Sequence, residues 1–236
     1  MELGLKERVA VVTAASKGLG RASAQALAAE GARVVVNARD EAALTDLAAA
    51  FGDALAVPGD ITEPDLPARL VTAAMERWGR VDIVVGNAGG PPPGSALEVD
   101  DEQILAAVNA NLLASIRLAR SAVPHMRDRQ WGRVVFIASS TVRQPSRDLV
   151  LSNIARTGLW AWTKTAAQDL AEDGITVNIA APGSHATERL RHLGTTGRTG
   201  DPADFGKVVA FLCSEPASFV NGIALGVDGG TVTGLL

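Results

Sequence analysis

The stretch "LVLSNIARTGLWAWTK", residues 149–164, places Ser152 and Arg156 four residues apart. A helix through them sets both on one face. A serine hydroxyl donates a hydrogen bond without readily parting with its proton. A guanidinium holds its charge at working pH and cannot act as a proton shuttle. The chain contains no tyrosine, so no phenol supplies an acid. This face can orient a ligand and lend positive charge to a developing oxyanion, but a proton must come from another group. His185, just after "APGS", is one candidate, with an unperturbed pKa of about 6.5; the alternative is a solvated loop histidine. Three histidines and a single cysteine, with no Cys/His spacing, argue against a bound transition metal. The cysteine, Cys213, lies in the apolar helical stretch "VVAFLCSE" and reads as a small core residue.

A second chemical feature lies near the start. In "VVTAASKGLGRASAQALAAEGARVVVNARD" an apolar strand runs into Gly18 and Gly20 and then into a helix. Glycines in such a turn let the backbone approach a pyrophosphate, whose charge meets the helix N-terminus. Ala14 stands where a first glycine is often found, and alanine is acceptable there if its φ is negative. At the end of the next strand an acidic residue would accept bonds from a ribose 2′-hydroxyl and repel a 2′-phosphate. The sequence instead offers Asn37, Ala38 and Arg39, with Lys17 in the preceding turn. Two cations and no carboxylate at Ala38 favour NADP, with NAD possible. Asp40 is a candidate cap for the helix that follows.

The elements that must position these groups alternate along the whole chain. Candidate strands cover 8–14, 32–38, 54–60, 81–87, 132–140, 174–183 and 222–230. Helical stretches fall at 18–30, 41–51, 64–78, 101–128 and 151–172, with another near 202–214. The strands are almost wholly apolar rather than alternating, as expected when helices cover both faces. This rhythm predicts right-handed βαβ units in an α/β, Rossmann-type doubly wound parallel sheet of about seven strands. With no repeat, and "GGPPPG" (89–94) read as a loop at the sheet's carboxyl edge, residues 1–236 are expected to form a single dinucleotide-binding domain. Of the 236 residues, 47% are apolar and 20% charged, which fits a compact fold. The net charge of −4 argues against a nucleic-acid or anionic membrane surface. No run suffices to cross a bilayer, and "MELGLKERVAVVTAAS" lacks a signal-peptide layout, so a cytoplasmic protein is expected.

These stretches together resemble the short-chain dehydrogenase/reductase family over essentially the whole chain, in its β-ketoacyl carrier-protein reductase-like branch. The resemblance is carried by "TAASKGLG" (13–20), "GDIT" (59–62), "GNAGG" (86–90), "NANLL" (109–113), "FIASS" (136–140), "GITVN" (174–178), "APG" (181–183) with Thr187, and "GVDGG" (226–230). It implies that Ser16, Gly18, Leu19 and Gly20 surround the pyrophosphate and that Asp60 and Ile61 flank the adenine. It implies that Asn87, Ala88 and Gly89 line the ribose path, and that Pro182, Gly183 and Thr187 hold the nicotinamide. Asn111 would keep an ordered water in a proton path, and Ser139 would bond the substrate carbonyl. The family pattern also implies a homo-oligomer, dimer or tetramer.

The family's acid is a tyrosine followed four residues later by a lysine. The tyrosine lies roughly thirteen residues after the serine, and the lysine about nineteen before the "ITVN" isoleucine. Counting from Ser139 reaches Ser152, and counting back from Ile175 reaches Arg156. The competing register, Trp160 with Lys164, breaks both spacings. The resemblance therefore implies an NAD(P)(H)-dependent oxidoreductase of a small carbonyl or alcohol, working by an atypical proton route. Ser139 and Ser140 could relay a proton through water with Asn111. Arg156, joined by Arg143 and Arg147, could meet an anionic substrate; the alternative for the two loop arginines is an exposed loop charge. A catalytically silent nucleotide-binding homologue (a sensor or an inactive subunit) is the alternative, and a non-redox lyase or isomerase the next. Between Gly183 and Pro202 the segment "SHATERLRHLGTTGRTGD" is short and poor in apolar residues, so a closed pocket for a long acyl chain is poorly supplied. The four tryptophans read as core or subunit-contact residues.

Overall fold

The computed structural model describes residues 1–192, 194 and 197–235. Seven strands form one sheet: β1 (Val9–Val12), β2 (Arg33–Val36), β3 (Ala54–Ala56), β4 (Ile83–Gly86), β5 (Gly132–Ile137), β6 (Ile175–Pro182) and β7 (Ala224–Val227). Their order is β3-β2-β1-β4-β5-β6-β7, and every pairing is parallel. The apolar runs make sense in this setting, because β1, β4 and β5 are buried at every position. The period-2 geometry of a strand then sends alternate residues to opposite faces. Val9, Val11, Val84, Val134 and Phe136 belong to one core cluster. Ala10, Val12, Ile83, Val85 and Val135 belong to the other.

Helices cover both faces. The first cluster is closed by α3 (Leu66–Trp78), α5 (Ala114–Arg127) and α6 (Val150–Asp169). The second is closed by α1 (Gly18–Ala29), α2 (Glu41–Ala49) and α8 (Pro202–Leu212). Burying side chains such as Leu118, Met126 and Phe205 contributes roughly 1.5–3 kcal/mol each. Local signals set the helix starts: Asp40 accepts from Ala43 N at 3.0 Å, and Asp201 accepts from Ala203 N at 2.8 Å ahead of Pro202. Strand order reverses between β1 and β4, which opens a crevice at the carboxyl edge.

The stretch 101–128 departs from the expected single helix. It divides into α4 (Asp101–Val108), a π-helical turn (Asn109–Leu113) and α5. Inserted π turns of this kind frequently mark functional positions, and this one holds Asn111. Asn109 in the same turn donates to Thr62 O and accepts from Arg117, so tertiary contacts fix the irregularity. A short helix, α7 (Glu188–His192), also arises in the segment between Gly183 and Pro202, where no helix was expected. The strands are shorter than their apolar runs; β3 keeps only Ala54–Ala56 of residues 54–60.

Candidate active site

The crevice is lined by the loops that leave β1, β4, β5 and β6. After β1, Ala14 has a φ of +47°, in the left-handed region, contrary to the expectation that alanine is admitted there by a negative φ. The turn keeps its shape at some steric cost, since a Cβ in this region approaches the following carbonyl. Gly18 opens α1 with a φ of +58°. Gly20 is buried, and a Cβ added to it would collide with the Ala14 carbonyl oxygen and lie 2.6 Å from Asn87 Nδ2. Only glycine lets α1 begin so close to β1. The loop after β4 is tied to the same turn: Asn87 N donates to Thr13 Oγ1 at 2.8 Å, and Thr13 Oγ1 donates to Asn87 O at 2.7 Å. Ala88 is half-buried and Gly89 exposed, and a Cβ on Gly89 would meet nothing within 4 Å.

Thr187 stands across from this turn. Its Cγ2 lies 3.7 Å from where a Gly18 Cβ would be, so Gly18 and Thr187 face each other over a gap between α1 and the segment after β6. Gly183 N donates to Val227 O at 3.1 Å, and a Cβ there would press on Asp228, which fixes the backbone beyond Pro182. Ser16 and Leu19 are half-buried beside the turn. These residues fit a dinucleotide: an open approach at Gly18 and Gly89, and free backbone at a helix N-terminus. On the adenosine side, Asp60 Oδ1 accepts from Thr62 N at 2.9 Å and Thr62 Oγ1 at 2.8 Å, which holds its carboxyl below the usual range. Ile61 packs against the first core cluster.

The two cations read as selectors of a 2′-phosphate both have carboxylate partners. Lys17 Nζ lies 2.8 Å from Glu188 Oε2, and Arg39 Nη1 lies 3.8 Å from Asp60 Oδ2. Neither pairing was legible in the sequence. Glu188 and its neighbour Arg189 belong to α7, and the only available signal was their place directly after Thr187.

At the end of β5 the structure brings three of the candidate catalytic residues together. Arg156 is 7% exposed; its Nη1 donates to Ile137 O at 2.8 Å and Ala138 O at 2.5 Å, and its Nη2 donates to Asn111 Oδ1 at 3.0 Å. Ser139 follows those carbonyls directly, and its Oγ accepts from Thr141 N at 3.2 Å. Ser152 lies one turn before Arg156 on α6 and is buried. Burial, and next the charge of Arg189, push the Arg156 guanidinium down to about 10, still cationic at neutral pH. The guanidinium is thus turned toward the ends of β5 and the π turn, with much of its donor capacity spent inside the protein.

His185 is 6% exposed, not solvated. Its Nδ1 is 3.2 Å from Gly183 O, and its ring meets Phe205 edge-on at 5.1 Å, so it packs against α8. Arg143 and Arg147 are exposed. Arg147 lines a separate groove of about 470 Å³ with Ser95, Pro145, Ser146 and Asn153, apart from Arg156. Cys213 is buried in the core, which pushes its thiol up to about 12. Among the described residues no group of three or more His, Cys, Asp or Glu could hold a metal ion, and no helix is long and apolar enough to cross a membrane.

Comparison with known proteins agrees with this fold. A family model described as enoyl-(acyl carrier protein) reductase matches residues 13–232. The chain is 34% identical over 245 aligned positions to human dehydrogenase/reductase SDR family member 4, covering 96% of this chain and 88% of that one. It is 31% identical to 3-oxoacyl-[acyl-carrier-protein] reductase FabG of Escherichia coli, covering 97% and 98%. The crystal structure of L-sorbose reductase from Gluconobacter frateurii, complexed with NADPH and L-sorbose, superposes with a TM-score of 0.93 at 30% identity over 100% of both chains.

Proposed function

The chain belongs to the short-chain dehydrogenase/reductase family, and on that premise we propose that it is an NADP-preferring oxidoreductase, able to use NAD, that acts on a small carbonyl or alcohol without a phenolic acid. The observation that carries this reading is the glycine turn at Gly18 and Gly20, with Gly18 facing Thr187. The similar L-sorbose reductase is complexed with NADPH, which supports the same cofactor here. Gly18, Leu19 and Ser16 would take the pyrophosphate, Asp60 and Ile61 the adenine, Asn87, Ala88 and Gly89 the ribose path, and Pro182, Gly183 and Thr187 the nicotinamide. When bound, the cofactor would supply a hydride to a carbonyl carbon or take one up from an alcohol.

The remaining work falls to the chain's own groups. Ser139 Oγ would hold the substrate oxygen. Ser152 and Arg156 replace the family's tyrosine and lysine, and the chain has no tyrosine to take over. A guanidinium cannot shuttle a proton, and a serine hydroxyl is far too weak an acid to replace a phenol of pKa about 10. Arg156 would therefore contribute positive charge, with the proton arriving from solvent past Ser139 and Asn111. Loss of general acid help costs about 10²–10⁴ in rate, so turnover should be slow.

One observation favours a second reading, a nucleotide-binding homologue without activity: Arg156 is held by Ile137, Ala138 and Asn111. Nicotinamide fluorescence on mixing with NADPH or NADH, followed by turnover of short ketones and aldehydes, separates the two. In the redox reading Ser139→Ala lowers turnover about 10²-fold, and Ser152→Tyr with Arg156→Lys raises it at least 10²-fold. Cofactor binding with no turnover at any pH, unaltered by Ser139→Ala, selects the silent reading.

A further inference from the structure

Arg156 is a buried cation with no carboxylate partner among the described residues. A buried charge held only by neutral acceptors is expensive. Of its five N–H groups, three are donated, to Ile137 O, Ala138 O and Asn111 Oδ1. The Nε proton and one on Nη2 have no protein acceptor among the described residues. After burial itself, the charge that acts on Arg156 has the same sign. It belongs to Arg189, and it weakens the hold of Arg156 on its proton rather than strengthening it.

Arg189 is itself fixed in place. Its Nη2 donates to Pro91 O at 2.6 Å, and its guanidinium lies 3.3 Å from where a Gly90 Cβ would be. It thus spans from α7 to the loop after β4, across the mouth of the crevice whose floor holds Arg156. The two guanidinium groups are held at the carboxyl ends of the adjacent strands β4 and β5, whereas Lys17 and Arg39 at the same cleft have Glu188 and Asp60 beside them.

We propose that Arg156 and Arg189 form a carboxylate-binding site, so that the substrate is a small carbonyl or hydroxyl compound bearing an anionic group, such as a 2-oxo or 2-hydroxy acid. The site rests on the functional reading above for its place beside a nicotinamide, but its ligand is set by the protein's own charges. A carboxylate between the two arginines would offset the burial of Arg156 and the like-charge repulsion together. Its oxygens accept from two guanidinium groups in charge-assisted bonds, which are about twice as strong as neutral ones. Its neighbouring oxygen would then lie toward Ser139.

The test is a calorimetric titration of oxamate and of its neutral counterpart oxamide, with and without saturating NADPH. Oxamate is expected to bind at least about tenfold more tightly than oxamide. Arg189→Gln, a change at an exposed position, should cut that preference to about threefold or less while NADPH affinity stays unchanged. Equal affinity for the two probes, or an oxamate preference untouched by Arg189→Gln, overturns the site. Weaker NADPH binding in Arg189→Gln with oxamate unaffected overturns it too, since the anion served would then be the cofactor's. Absence of NADPH binding overturns the functional reading alone, because the oxamate titration without cofactor still reports on the two arginines.

Discussion

Each edge of the sheet buries an arginine, and the two are treated differently. At the amino edge Arg133 is 2% exposed; its Nε donates to Ser214 O at 3.0 Å, and its Nη1 to Gly132 O at 2.8 Å and Gly174 O at 3.2 Å. Its guanidinium lies 4.4 Å from the Trp131 ring; burial is what most lowers its hold on its proton, and of its charged neighbours Arg8 opposes the cation while Glu215 favours it. At the carboxyl edge Arg156 also donates to backbone carbonyls, but among the described residues no aromatic ring lies over it, and the charge it feels is that of Arg189. Charge satisfied within the protein serves the fold. Charge left for a ligand to satisfy marks the edge where chemistry takes place.

The largest effect that tests this contrast is on stability. Arg133→Met removes three hydrogen bonds and a cation–π contact, and is expected to cost about 3 kcal/mol. Arg156→Met loses a similar number of bonds but also abolishes an uncompensated buried charge, so about 1 kcal/mol is expected. Urea denaturation of the two variants measures both losses. Equal losses would mean that Arg156 is as well compensated as Arg133, and the contrast would fail.

Much of this arrangement was legible in advance, for identifiable reasons. Strands with both faces covered must be apolar throughout, so runs such as "RVAVVTA" announced a parallel sheet before its order was known. The four-residue spacing set Ser152 and Arg156 on one face of α6, and both are buried there. What escaped depends on contacts between residues distant in the chain. The π turn is held by Asn109, Thr62 and Arg117 together. His185 sits in a polar stretch, yet Phe205 arrives from α8 and buries it. Lys17 read as a free phosphate ligand because Glu188, which pairs with it, lies in a helix that no periodicity revealed.

That last pairing yields an effect of middle size. Glu188→Gln removes the carboxylate from Lys17 and frees its ammonium to meet a cofactor phosphate. Exposed ion pairs are worth about 0.2–1 kcal/mol, so NADPH should bind about threefold more tightly, as measured by nicotinamide fluorescence. If NADPH affinity is unmoved, Lys17 takes no part in holding phosphate. The contrast between edges would then rest on the arginines alone.

The smallest effect separates backbone strain from function. Left-handed backbone at a residue bearing a side chain occurs near both edges, at Glu7 and Gln130 beside the amino edge and at Ala14 beside the carboxyl edge. Strain is therefore not peculiar to the crevice. Replacement by glycine relieves about 1–2 kcal/mol of steric cost and returns about 0.4–1 kcal/mol through the greater freedom of the unfolded chain. Gln130→Gly and Ala14→Gly should each stabilise by about 0.5 kcal/mol, seen as small upward shifts in Tm. Their consequences for the ligand should differ. Gln130 lies in the turn ahead of β5, far from the crevice, whereas the Ala14 carbonyl accepts from Asn87 Nδ2 at 3.3 Å and presses on Gly20. A looser turn at position 14 should weaken NADPH binding about twofold by letting the glycine turn drift from the geometry that receives a pyrophosphate, while the same exchange at position 130 leaves it unchanged. Identical behaviour of the two variants toward NADPH would mean that Ala14 carries strain without placing the loop.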